Sequence, residues 1–400
     1  MKQILPDYLM DISFFCHEQW GFLPGRSTVE AVRSIVTDIV EGLENGQHVS
    51  LSLYDISRAF DCVSHHLLIK KLSLLGLSKN LLSFFRSYFT DRCQKVNLNG
   101  CVSKALPLRH GVPQGSVLGP LLFLVYINDF PQFIKPSSCV LFADDTTIIS
   151  KSASLQSLDQ SCIHAEYRAQ TWFAANFLRL NHEKTQKLLI SCSNVVTHGS
   201  GVTLLGVTID DRLNWSPHIE SLSKKLSSVI FVLRRLRNSI DFDVLRNVYF
   251  ALYHSKMQYG IALWGGSTDA IRVFRLQKKA IRIMLNLGYR ESCKRYFPDL
   301  QIMTLPSTFI YSSLVEIHKN RANYLMQSDI HSKSTRYAHH LRTPQYRLNK
   351  SVRNTLNLNL YNVLPRFITN LTEDPFKRTL KRILIENCFY STDDFLHHRF

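Results

Sequence analysis

The sequence predicts an α+β fold whose first half mixes short strands with helices and whose second half is mostly helical. Three observations predict it. Apolar, β-branched runs over residues 48–55 and 139–149 end at or enclose carboxylates. Amphipathic helical periods stand between and after them. From Ser216 the apolar spacing settles to 3.6 residues and basic residues accumulate. The composition is globular, 45% hydrophobic and 11% aromatic, and the net charge of +17 favours a polyanionic partner. Between Arg212 and Asp299 there are 16 Lys/Arg against 6 Asp/Glu, so most of the excess sits beside the carboxylate segments, not on them.

Nine cysteines are scattered with no Cys-x-x-Cys pair. That pattern argues against a disulfide framework or zinc knuckle and for a reducing, intracellular compartment. The opening residues do not read as a signal peptide. The longest apolar stretch, 121–127, falls far short of the roughly 20 residues that cross a bilayer, so no membrane partner is expected.

The elements follow in order. Residues 1–20 carry apolar side chains that need a partner surface, and 21–28 form a turn-rich loop. Ser27 or Thr28 can cap a helix over 29–43, which Asn45-Gly46 ends. Val49, Leu51 and Leu53 alternate with Ser50, Ser52 and Tyr54, the pattern of a half-buried strand that delivers Asp55 at its end. Helices are predicted over 65–75 and 81–90, and short strands over 94–98 and 103–108. Gly111, Gly115 and Gly119 permit close backbone approach to a ligand ahead of an apolar helix over 121–130.

Asp144 and Asp145 lie in a tight turn between two short strands. Adjacent carboxylates repel, and crowding raises the pKa of at least one. A hard divalent cation offsets that repulsion; a turn that merely contains two aspartates is the other reading. A helix over 154–177, a strand over 186–191, a polar loop over 194–201 and a strand over 202–209 follow. Ile219, Leu222, Leu226, Val229, Ile230 and Leu233 form the apolar stripe of the next helix, with Lys224, Lys225, Arg234 and Arg235 off it or at its end. A helix from Ala270 puts Arg272, Arg275, Lys279 and Arg282 on one face. Residues 329–353 read as an exposed loop and 354–400 as a small helical cap.

Five blocks, in this order and spacing, resemble the reverse transcriptases of non-LTR (LINE-type) retrotransposons, the jockey-like branch in particular. They are Gly21-Phe22 with Gly25-Arg26-Ser27-Thr28; Tyr54-Asp55-Ile56-Ser57-Arg58-Ala59-Phe60-Asp61; Gly111-Val112-Pro113-Gln114-Gly115-Ser116-Val117-Leu118-Gly119-Pro120; Phe142-Ala143-Asp144-Asp145; and Leu180-Asn181-His182-Glu183-Lys184-Thr185 followed by Leu205-Gly206-Val207. Leu276-Gln277-Lys278-Lys279-Ala280-Ile281-Arg282 also looks like a stretch that follows the polymerase core in such elements.

The resemblance implies a right-hand polymerase: palm with partial fingers over 1–211, basic helical thumb over 212–290, and an extension of unassigned role over 291–400. It implies RNA-directed DNA polymerisation by two-metal nucleotidyl transfer, with Mg²⁺ ions about 3.5–4 Å apart and Mn²⁺ able to substitute. Asp55 and Asp144 would bridge the ions, with Asp145 and the Ile56 carbonyl as further ligands. Lys184 would act on the leaving pyrophosphate. Phe60 would be the gate under the sugar C2′, and Arg58, Gln114 and Gly115 would line the nucleotide site. Leu205-Gly206 resembles the primer grip, and Lys224, Lys225, Arg234, Arg235, Arg275 and Lys279 would track duplex phosphates without reading sequence. The implied partners are an RNA template, a DNA primer and deoxynucleoside triphosphates, with no small-molecule cofactor, in the nucleus; oligomeric state is left open.

The chain opens close to the first block, so the expectation is an N-terminally truncated member. Leu23 and Arg58 stand where basic residues and lysine, respectively, are common in the family. A catalytically inactive remnant that only binds nucleic acid is the alternative reading.

Overall fold

The computed structural model describes residues 4–192, 201–329, 337–348 and 352–400. The polar loop expected over 194–201 and much of the loop expected over 329–353 lie outside them. The chain divides into two compact units, Met1–Leu205 and Gly206–Phe400.

The first unit is built on a four-stranded antiparallel sheet. Its strands are β1 (His48–Tyr54), β2 (Ser138–Phe142), β3 (Asp145–Ser152) and β4 (Gln186–Ile190), in the spatial order β4-β1-β3-β2. β1 is central, pairing with β3 from His48↔Ser152 to Tyr54↔Thr146 and with β4 from Val49↔Ile190 to Leu53↔Gln186. It is not the half-buried strand its alternation predicts. Ser50 and Ser52 are only 8% and 7% exposed, because β1 has a neighbour on each side and is covered by helices.

Helices Thr28–Glu44 and Leu155–Ala175 both pack on the sheet. Each begins at a serine, Ser27 and Ser154, whose hydroxyl accepts from an otherwise unbonded N–H of the first turn. Helix Leu118–Ile127 starts three residues earlier than expected and is buried almost all round. Its Tyr126 hydroxyl donates to the Asn176 carbonyl at 2.6 Å and accepts from the Ser64 amide at 3.3 Å. One phenol therefore ties together the ends of three chain segments.

Helices His65–Leu74 and Lys79–Phe89 form as predicted. The two strands expected beyond them are broken into two-residue pairings, Cys93–Gln94 with Leu106–Pro107 and Asn97–Leu98 with Cys101–Val102. Val96, Leu98, Val102 and Leu106 are all exposed on this hairpin, so no packing face holds it in longer strands.

The second unit is helical. Helix Ser216–Leu236 buries the expected stripe and packs on Ala270–Met284. The strand expected over 202–209 is two three-residue strands, Val202–Leu204 at the end of the first unit and Val207–Ile209 at the start of the second. Leu205 and Gly206 both have positive φ (46° and 81°), which no extended strand accommodates. Gln277 is fully buried: its Nε2 donates to the Tyr249 hydroxyl and the Met303 carbonyl, both at 3.0 Å, and its Oε1 accepts from the Leu305 amide at 2.8 Å. It stitches together the helical turns at 249–254 and 305–319. Helix Leu305–Lys319 packs on Glu373–Asn387, so the residues expected as a small helical cap are helical and pack within the second unit. Among the described residues no helix is long and apolar enough to cross a membrane.

Asp210 anchors the entry to helix Ser216–Leu236. Its buried carboxylate accepts from the amides of Arg212 and Asn214, each at 3.0 Å, and of Trp215 at 2.7 Å. Asp210→Ala leaves three amides without this acceptor and is expected to cost about 1.5–3 kcal/mol in urea denaturation, with Asp210→Asn losing less.

Candidate active site

β1 ends one residue before Asp55, and its last pair is Tyr54↔Thr146. Continuing that register brings Asp55 level with Asp145 on the neighbouring strand. β2 and β3 close with Phe142↔Asp145, so Ala143 and Asp144 make a two-residue turn. Only Ala143 has positive φ, 55°, at the position where such turns usually hold glycine. The three carboxylates therefore gather at one end of the palm sheet.

Burial and neighbouring charge act together on Asp144 and Asp145. Partial burial, and then the negative charge of Asp55, raise the Asp144 pKa above the ordinary carboxylate value. Burial, Asp144 and Asp55, in that order, raise Asp145. Three negative groups here are costly without a counter-charge.

Lys184 supplies part of one. The Leu180 backbone pairs with Ile56, and the Asn181 amide donates to the Asp55 carbonyl at 2.9 Å. That short ladder, too brief to read from sequence, carries Lys184 to within 3.5 Å of the Asp55 carboxylate. The lysine side chain remains 67% exposed, so the pair is loose and its net worth is under about 1 kcal/mol.

Among the described residues, no group of three or more acidic, histidine or cysteine side chains is placed to hold a metal ion. Strand register brings Asp55, Asp144 and Asp145 to one end of the sheet, and the charge of Asp55 acts on both of the others. The donor types suit a hard divalent cation: they are all oxygens, and burial together with neighbouring carboxylate charge raises the pKa of Asp144 and Asp145.

Phe60, Arg58, Gln114 and Gly115 are brought to one locus by a second junction. The Val112 amide donates to the Phe60 carbonyl and the Gly111 amide to the Val63 carbonyl, both at 2.8 Å. A Cβ on Gly111 would lie 3.0 Å from the Asp61 backbone, so glycine is needed for the two segments to touch. The Phe60 ring stacks on Phe123 with centroids 4.7 Å apart and is set by the core helix behind it. Arg58, at φ 49°, turns the chain into the short 3₁₀ segment Ala59–Asp61. Gln114 Nε2 donates to Asp61 Oδ1 at 2.9 Å. The sequence reading missed Asp61, although it ends the block that contains Asp55; its contact with a glutamine 53 residues later has no local signature.

All of these residues belong to the first unit, which Leu205 closes. Gly206, Lys224, Lys225, Arg234, Arg235, Arg275 and Lys279 belong to the second. There the six basic residues are exposed, with Lys224 in an i,i+4 pair with Glu220 at 2.8 Å.

A central antiparallel strand ending in one aspartate, beside a hairpin tipped by two more, defines the palm of a nucleic-acid polymerase. The chain belongs to the reverse transcriptase (RNA-dependent DNA polymerase) family, whose profile matches residues 1–209. It is similar to the probable RNA-directed DNA polymerase from transposon BS of Drosophila melanogaster, 26% identical over 329 residues covering 76% of this chain and 35% of the relative. It is likewise similar to the RNA-directed DNA polymerase from mobile element jockey of the same species, 27% identical over 289 residues covering 66% and 31%. These relatives lie in the branch that the motif blocks indicated. The chain spans about a third of the length of the curated relatives it matches. Among solved structures, telomerase from Candida albicans in complex with a fragment of telomeric RNA aligns at 14% identity over 75% of this chain and 56% of that one, with a TM-score of 0.45.

Removing one charge should relax the cluster. Because its folded-state pKa is raised, ionising Asp145 costs stability as pH rises from the ordinary carboxylate value through the folded one. In the absence of divalent cations at pH 7, Asp145→Asn is expected to raise the melting temperature by roughly 2–4 °C. The gain should vanish below the ordinary carboxylate pKa, where both proteins are neutral at this position, as thermal scans at stepped pH would show.

Proposed function

We propose that this chain is the polymerase core of a non-LTR retrotransposon reverse transcriptase, and that it copies RNA into DNA by two-metal nucleotidyl transfer. The observation that carries this reading is the meeting of Asp55 with Asp144 and Asp145 at one sheet end, where burial and then neighbouring charge raise the pKa of Asp144 and Asp145. Bound there, two Mg²⁺ ions, or Mn²⁺ in their place, would supply Lewis-acid activation of the primer 3′-hydroxyl and neutralise the triphosphate.

The chain's own residues do the rest. Asp55 and Asp144 would hold the ions, with Asp145 and the Ile56 carbonyl as further oxygen ligands. The primer 3′-hydroxyl gives its proton to solvent, its oxygen attacks the α-phosphorus, the bond to the bridging oxygen breaks, and pyrophosphate leaves. Lys184, loosely held on Asp55, swings to the leaving oxygen and donates a proton or charge there. Phe60, backed by Phe123, lies under the sugar and excludes a 2′-hydroxyl. Gln114, fixed by Asp61, sits with Gly115 and Arg58 around the incoming nucleotide. Leu205-Gly206 approaches the primer end, and the exposed lysines and arginines of helices Ser216–Leu236 and Ala270–Met284 take up duplex phosphates by charge. Copying RNA onto a DNA primer calls for an intracellular site of action, the nucleus, and a reducing compartment suits nine unpaired cysteines.

The test is primer extension on poly(rA)–oligo(dT) by the 400-residue chain with Mg²⁺ or Mn²⁺. Extension that Asp144→Ala reduces by about three orders of magnitude or more, with template binding retained, is the expected result. Lys184→Ala is expected to lower kcat by about 10–100-fold while leaving KM for the nucleotide nearly unchanged. Template binding by the wild type without any extension would overturn the proposal.

A further inference from the structure

We propose that Gln19 is a positioning residue for the carboxylate hairpin, fixing the turn that carries Asp144 and Asp145. The proposal deepens the polymerase reading and rests on it only for the use to which the hairpin is put.

The residues Glu18-Gln19-Trp20 run alongside β2 as a parallel partner on its outer edge. The Leu141 amide donates to the Glu18 carbonyl at 2.8 Å, and the Trp20 amide donates to the Leu141 carbonyl at 2.7 Å. This main-chain pairing seats Gln19 directly opposite Leu141, two residues before the turn. Its side chain then reaches forward. Gln19 Oε1 accepts from the Gly21 amide at 2.8 Å and from the Ala143 amide at 3.1 Å. Gln19 is 1% exposed and Ala143 2% exposed, so water cannot stand in for either partner.

The bond falls at a strained point of the chain. Ala143 is left-handed at φ 55°, a conformation that an L residue with a Cβ resists and holds only when its surroundings impose it. Gly21 is the second constraint. A Cβ there would sit 2.6 Å from the Ala143 nitrogen and 3.2 Å from Gln19 Oε1, so only glycine lets the two segments close on one another. Gln19, Gly21 and Ala143 form one knot, and Asp144 is the next residue. If Ala143 relaxed to an ordinary φ, the Phe142↔Asp145 pair would open and both carboxyls would turn away from Asp55.

The chemistry of the side chain matches the task. The Gln19 Nε2 finds no partner among the described residues, so the amide is held through its oxygen alone despite the cost of burying the free end. A glutamate would keep the acceptor but add a fourth negative charge beside three carboxylates. A methionine would keep the length and volume and lose the acceptor.

The experiment uses the full chain with Gln19→Met and Gln19→Glu. Leu158→Ala serves as a control: it empties a buried site in helix Leu155–Ala175 and lowers stability without touching the knot. Two readouts are independent of polymerisation: amide hydrogen exchange across 141–146, and Mn²⁺ binding followed by electron paramagnetic resonance. Gln19→Met is expected to speed exchange at Ala143 and Asp144 and to weaken Mn²⁺ binding, each by about tenfold. Gln19→Glu, which retains the acceptor, is expected to keep the hairpin protected, and Leu158→Ala to leave Mn²⁺ binding as in the wild type. Wild-type exchange and Mn²⁺ affinity in Gln19→Met, or an equal loss of affinity in Leu158→Ala, overturns the proposal. If the wild type itself binds no Mn²⁺, the polymerase reading fails, and exchange alone then decides the role of Gln19.

Discussion

Three carboxylates kept close together against their own repulsion are the constraint on which the first unit depends. Nothing in the chemistry of aspartate favours the arrangement: burial and neighbouring charge raise Asp144 and Asp145. The fold imposes it through backbone bonds. A central strand with partners on both sides fixes where Asp55 emerges, and a tight hairpin fixes the other two. The hydrophobic core behind them, from Leu122 to Ile127 and the helices on the sheet, offsets the cost of holding that geometry. Stability is thus spent at the sheet end in exchange for a site ready to receive positive charge.

The cluster proposed to receive the nucleotide is organised differently. Arg58, Phe60, Gln114 and Gly115 lie on segments with almost no regular structure. They are aligned by two main-chain hydrogen bonds between 60–63 and 111–112 and by the Asp61–Gln114 contact. Loops positioned by a rigid scaffold are where substrate contacts are commonly placed. Here the scaffold is the core helix carrying Phe123, on which Phe60 rests.

Much of this was legible in the amino-acid order. Asp55 stands out because an alternating apolar run ends at it, and Asp144-Asp145 because two β-branched runs flank them. Ser27 and Ser154 announce their helices by capping chemistry. The stripe from Ile219 to Leu233 is buried as its 3.6-residue spacing requires. What escaped reading depends on partners distant in the chain. The burial of Ser50 and Ser52 follows from what covers β1, not from their own polarity. The break at Leu205-Gly206 interrupts an apolar and β-branched run at its one glycine. The Ile56–Leu180 ladder is two residues long, and the bonds of Asp61 and Gln19 span 53 and 124 positions. Periodicity reports faces; it does not report which distant backbone amide a side chain will meet.

The small exposed hairpin between Cys93 and Pro107 contributes none of its side chains to the buried core of its unit. Its length and sequence are therefore uncoupled from the packing that shapes the carboxylate end of the sheet. Of the segments between Asp55 and Asp144, it is the one that can lengthen, shorten or drift in evolution while the catalytic geometry stays still.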